Sequence, residues 1–334
     1  MKQTSNHGSG ISSVSGHTFH IPVMGTGFSI DTPLRVARYG ISSVISLVDD
    51  VLIEQMRKYH CIRAGKPYEN IPDDHPDARA ERITAYLDLL DHLIQEQVKD
   101  LQASPFTKGS EISRYYEMLP ESCANKKLYR EMLECEDPSR KHSLQQELRN
   151  RAVPGSIDVN IMTKLDCPEY LSGQKRSREF NHAMSALRGY ARSTLQSAIV
   201  LSAGMNRHLY TYMAHFKDFF AENSKDFKKR IILKVSDYRS ALVQGKLLAS
   251  LGLWVSEFRV ESGLNCGGHT FPGKGFLLGP IMEEFKNKRI ELASKLQNVY
   301  ARSLERLGIS RTESEPPEIR VTVQGGICDA GEDE

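Results

Sequence analysis

The chain has 334 residues, 40% of them apolar and 26% charged, with a formal net charge of +2. That composition suits one large α/β domain with insertions, or two domains. The charge is too balanced to argue for nucleic acid or a membrane surface, and no apolar run is long enough to span a bilayer.

Residues 1–19 are polar and rich in Ser, Gly and His. They lack the apolar centre of a signal peptide, which predicts a flexible start and a cytoplasmic protein. The six cysteines (Cys61, Cys123, Cys135, Cys167, Cys266 and Cys328) are scattered, with no pair at metal-ligand spacing. Reduced thiols and no metal site are expected.

His20-Ile-Pro-Val-Met-Gly-Thr-Gly-Phe-Ser29 reads as a short strand that breaks into a glycine turn. Asp31 or Thr32 can cap the helix that follows, Pro33 suits its first turn, and Gly40 stops it. Ile41-Ser-Ser-Val-Ile-Ser-Leu-Val48 is a second buried strand. Strand, helix and strand in about thirty residues make a βαβ unit and a parallel sheet.

From Asp49 to Pro154 no strand is expected. Ile83, Leu87, Leu90, Ile94, Val98 and Leu101 step by three or four, an amphipathic helix. Charged helical pieces follow over 126–135 and 139–151. The block 51–154 reads as a helical insertion: a lid, a partner surface or decoration. Decoration is the simplest account, because nothing in it has catalytic spacing. His60, His75, His92 and His142 are isolated and expected to face solvent rather than a ligand.

Strand–helix alternation then resumes, with strands over 156–162, 197–204, 230–236, 253–260 and 319–327. The helix before Gly308 carries Leu292, Leu296, Val299, Leu304 and Leu307 on one stripe. Seven strands result, near residues 21, 43, 158, 199, 232, 256 and 321, read as apolar on both faces. A (β/α)8-type TIM barrel is expected over 20–50 and 155–328, followed by an acidic tail at 329–334. An eighth βα unit is missing from this count. Either the chain belongs to a longer parent, or another segment or subunit closes the barrel.

Polar residues and glycines gather at the strand ends: Met24-Gly25-Thr26-Gly27, Asn160, Ser202 to Gly204, Lys234, Gly263 to His269, and Gln324-Gly325-Gly326. On a parallel barrel these share one mouth. A tight turn explains any one of them; six on one face argue for a site. Gly325-Gly326 is placed to bind phosphate through backbone N–H groups. Lys234 ends an otherwise apolar strand, where it needs an anion or a ligand as partner. His269 is either a turn histidine bonded to backbone or a general base or substrate anchor, and its place after Gly267-Gly268 favours the second. Cys266 has no second histidine or acid to activate it, so small-residue packing is its expected role.

Gly263-Leu-Asn-Cys-Gly-Gly-His269 resembles the Gly-x-Glu-Ala-Gly-Gly-His segment of nitronate monooxygenases, also called 2-nitropropane dioxygenases. FMN-dependent enoyl-acyl-carrier-protein reductases share that segment. Pro22-Val-Met-Gly-Thr-Gly27 is similar to the family's flavin-contacting turn, Val159-Asn160-Ile161 to its Val-Asn-Leu, and Val323-Gln-Gly-Gly-Ile327 to its phosphate turn. The family's Glu-Ala is Asn265-Cys266 here.

The resemblance implies a TIM barrel that binds FMN without a covalent bond. The flavin ring would lie against Met24, Gly25 and Thr26, with Asn160 and Lys234 in reach. Its phosphate would rest on Gly267 and Gly268 and on Gly325 and Gly326, beside Gln324. His269 would act at the substrate, as base toward a carbon acid or as anchor for a nitronate. The function expected is that of an FMN-dependent oxidoreductase of nitronate-monooxygenase type. An FMN- and NAD(P)H-dependent enoyl-thioester reductase, a non-catalytic scaffold derived from a barrel, and a flavin-free phosphosugar or nucleotide barrel are the alternatives. The partners expected are a small-molecule substrate, another copy of the chain, or a carrier protein at the helical insertion; nucleic acid and membrane are not.

Overall fold

Short apolar runs alternate with amphipathic stretches along this chain, and each expected run is a strand in the computed structural model. The structure describes residues 16–161, 166–171, 173–221, 227–261, 278–309 and 318–324, with Thr26 by its backbone alone.

In chain order the elements are β1 (His20–Ile21), α1 (Thr26–Ser29), α2 (Thr32–Val36) and β2 (Ser42–Ser46), then the helices α3 (Asp50–Arg63), α4 (Ala78–Ala103), α5 (Glu111–Glu117), α6 (Ala124–Glu134) and α7 (Pro138–Arg151). Next come β3 (Ile157–Asn160), the short strands β4 (Tyr170–Leu171) and β5 (Gln174–Lys175), and α8 (His182–Arg192). The chain continues with β6 (Ser197–Leu201), α9 (Arg207–Met213), β7 (Lys229–Val235), α10 (Tyr238–Ser250), β8 (Val255–Glu261), α11 (Leu278–Leu307) and β9 (Arg320–Gln324).

The seven expected strands form one sheet in the order β1-β2-β3-β6-β7-β8-β9. The pairings described in it are parallel. The fold is therefore mixed α/β, built on a seven-stranded parallel sheet. β4 and β5 are an antiparallel hairpin that the sequence reading did not anticipate, turned at Gly173 with φ 78°. β1 is shorter than expected: Pro22 has no N–H for the ladder, and Gly25 turns the backbone at φ 120°.

The chain divides into two compact units, Met1–Ile45 with Leu87–Asp158, and Ser46–Tyr86 with Val159–Glu334. In the first, β1 pairs with β2 (His20 opposite Ser42), and Ser43 N–H donates to Ser156 O at 3.0 Å. Its core joins Tyr39, Ile41, Leu101, Ile112, Tyr115, Tyr116 and Leu148. Tyr116 stacks on Tyr129 at 5.4 Å between ring centres. Lys126, itself buried, donates to Tyr116 O and Glu117 O at 3.1 and 2.7 Å, satisfying carbonyls at the end of α5. Asp31 sits at the N-cap of α2, but its carboxylate takes Arg35 rather than a backbone N–H.

In the second unit, Ile231, Leu233, Val235, Phe258 and Val260 are fully buried. Burying a side chain such as Phe258 stabilises by about 1.5–3 kcal/mol. α10 comes close to this layer at Gly245, where an added Cβ would lie 3.0 Å from Leu296 and 3.1 Å from the Phe258 ring. Trp254 and Tyr300 pack with ring centres 5.1 Å apart. The segment before α4 is held by Arg82, which donates to Asp50 (2.9 Å), Asp73 (2.6 Å) and Ile71 O (2.7 Å). His60, expected in solvent, is instead buried and stacked on Tyr86, because the face of α3 that carries it also buries Ile53 and Cys61. His92, in the first unit, is exposed beside Glu96.

Among the described residues no helix is long and apolar enough to cross a membrane. Cys61, Cys123, Cys135 and Cys167 form no disulfide.

Candidate functional site

Side chains alternate across a strand, so β8 places Glu257, Arg259 and Glu261 on one face and Phe258 and Val260 on the other. This corrects the expectation that every strand is apolar on both faces. The apolar side of β8 packs against the helix layer, and the opposite side carries charge. The register extends that polar side: Lys234 of β7 lies opposite Arg259, Arg259 opposite Thr322 of β9, and Glu261 opposite Gln324.

Two carboxylates organise the face. Glu261 Oε1 accepts from Lys234 Nζ at 2.8 Å and from Gln324 Nε2 at 2.8 Å. Glu257 Oε1 accepts from Arg259 Nε at 2.8 Å and from Thr322 Oγ1 at 2.6 Å, with Arg259 Nη2 at 2.7 Å. The Arg259 side chain is 3% exposed, that of Glu261 8% and that of Lys234 17%, so each charge must be paired to be tolerated. Arg259 Nη1 is buried and, among the described residues, has no hydrogen-bond partner.

Lys234 was expected to need an anion or a ligand, and Glu261 supplies the anion. Glu261, Glu257 and Arg259 were not singled out by the sequence reading. The signal was present as alternation, Glu257-Phe-Arg-Val-Glu261, inside a run read as uniformly apolar.

Asn160 ends β3 and is buried, with Val200 of β6 as its register partner. Its carbonyl accepts from Leu47 N–H at 2.9 Å. β6 separates it from Lys234's strand. The turn after β6 is anchored from α10: Gln244 Nε2 donates to Ala203 O at 3.0 Å, and Tyr210 Oη donates to Gln244 Oε1 at 2.9 Å. Burial raises the Tyr210 phenol well above its ordinary value, which keeps it a neutral donor.

Met24, Gly25 and Thr26 belong to the first unit. Gly25 has φ 120°, a conformation that side chains rarely adopt, and Met24 N–H donates to Ser29 Oγ at 2.8 Å. Met24 and Phe28 are exposed, and an added Cβ at Gly27 would meet nothing within 4 Å. Thr26 opens α1. Gly267, Gly268, His269, Gly325 and Gly326, with Cys266, lie outside the described residues.

The structure thus brings Lys234 of β7 and Gln324 of β9 together on one carboxylate oxygen of β8, the strand between them, at the C-terminal ends of the three. Among the described residues, no group of three or more His, Cys, Asp or Glu side chains could hold a metal ion. No protein-family model and no curated protein matches the chain.

Proposed function

We propose that the chain is an FMN-dependent oxidoreductase that acts on a small carbon acid or nitronate, with His269 at the substrate. The observation that carries this reading is the convergence of Lys234, Glu261 and Gln324 at the C-terminal ends of β7, β8 and β9. Ligand sites of parallel α/β sheets form at that end of the strands. Glu261 and Gln324 are also the residues from which the chain enters the Gly263–His269 segment and the Gly325-Gly326 pair.

The described residues fit a flavin. Lys234 and Gln324 offer donors to an acceptor-rich ring edge, and Arg259 Nη1 is a buried donor with no acceptor among the described residues. FMN supplies reversible two-electron chemistry when bound. The chain's part is to bind the group through Lys234, Gln324 and Asn160 and to accept a substrate proton at His269.

A non-catalytic scaffold is the second reading, and the neutralisation of Lys234 within the chain favours it. Turnover separates the two. Protein loaded with FMN is predicted to consume oxygen with a nitronate. Turnover with NAD(P)H and an enoyl thioester instead would assign the reductase activity, and would point to a carrier-protein partner. A loaded protein inert in both assays would leave the scaffold. His269→Ala is expected to abolish turnover while FMN stays bound.

A further inference from the structure

Glu261 joins side chains of both neighbouring strands, Lys234 of β7 and Gln324 of β9, and no role has been assigned to it beyond its pairing. Its Oε1 takes two donors from two different strands, each at 2.8 Å. One donor is a cation and one a neutral amide, so they are not interchangeable. Lys234 carries four rotatable bonds and would sample many positions if unpaired. Charge-assisted bonds are about twice as strong as neutral ones, so the carboxylate selects one rotamer of that chain. The Gln324 bond fixes which amide edge faces Glu261, since its NH2 must point to the carboxylate.

We propose that Glu261 is the positioning residue of the site. It sets the ammonium of Lys234 and the amide of Gln324 for a bound flavin, and it ties together the ends of β8 and β9. The proposal rests on the flavin reading and deepens it. Glu261 acts through Lys234 and Gln324 and does not itself touch the cofactor. The backbone register of Glu261 with Gln324 supports this, because a side-chain bond across a registered pair resists sliding of one strand end past the other.

The test is FMN titration of four proteins: wild type, Glu261→Gln, Lys234→Met and the double variant. Bound flavin is read by fluorescence quenching, and folding is checked by circular dichroism. Glu261→Gln keeps the shape and an acceptor oxygen but removes the charge. The expected result is a weakening of about tenfold for each single variant, and for the double variant a weakening no greater than that of Lys234→Met alone. A residue that merely stabilised the fold would weaken binding equally in both backgrounds, and that additive result would overturn the proposal. Unchanged affinity in Glu261→Gln would overturn it as well. Absence of binding by the wild type would overturn the flavin reading itself, a different outcome from additivity. If the Gln variant does not fold, Glu261→Asp replaces it. The shorter carboxylate keeps the charge but reaches neither Lys234 nor Gln324, and the double variant is then expected to weaken binding by less than the two single changes combined, additivity again overturning the proposal.

Discussion

Lys234 Nζ lies 2.8 Å from Glu261 Oε1, across the β7–β8 pair, with both side chains largely withdrawn from solvent. An ion pair in that setting is worth little against a well-packed apolar pair, but breaking it strands a charge. Replacing Glu261 by Leu is therefore expected to cost about 2–3 kcal/mol, while Lys234→Met with Glu261→Leu costs less than the sum of the two single changes. Urea unfolding followed by the fluorescence of Trp254, the chain's single tryptophan, measures this close to β8. Additive losses would contradict the pairing.

Glu54 predicts an acid dependence in the second unit. Burial alone pushes its carboxyl up, but hydrogen bonds from Arg57, from the Ile71 N–H and from Tyr68 outweigh it and hold the carboxyl below its usual range. A lowered folded-state value means the stabilisation is complete above the unfolded carboxylate value of about 4.3. It is lost as pH falls through the lower folded value. The wild type is therefore expected to lose stability more steeply than Glu54→Gln between neutral pH and about pH 2. Urea midpoints across that range check it, and parallel curves would contradict it.

Gly155 tests the packing of the first unit. A Cβ there would sit 2.2 Å from the carbonyl carbon and oxygen of Ile41, both backbone atoms that cannot swing aside. Gly155→Ala is expected to cost about 3 kcal/mol or more. Gly279, in α11, has nothing within 4 Å of an added Cβ. Gly279→Ala should leave stability unchanged or raise it by up to about 1 kcal/mol. Equal thermal midpoints for the two variants would refute this account of Gly155.

The strand positions were legible because each buried strand is a short apolar run between turn residues, and the helices because their stripes repeat every three or four residues. Ile83 to Leu101 is the clearest case, with all six marked positions of α4 buried. His60 was misplaced because a lone histidine carries no sign of which helix face it occupies; the buried Ile53 and Cys61 of α3 decide that. The polar face was missed for a different reason. Arg230-Ile-Ile-Leu-Lys-Val235 and Phe258-Arg-Val-Glu261 hold enough apolar residues to read as core, and a buried charge becomes interpretable only when its partner is seen. Lys234, Glu261 and Gln324 come from three strands, so no local pattern joins them.

The central claim is that the strand ends carrying Lys234, Glu261 and Gln324 serve a flavin. Titrating the purified, folded protein with FMN, followed by flavin fluorescence, tests it most directly. The account predicts saturable binding of one FMN per chain, weakened about tenfold by Lys234→Met. A folded protein that gains no FMN, or one that binds it with the same affinity after Lys234→Met, would contradict it.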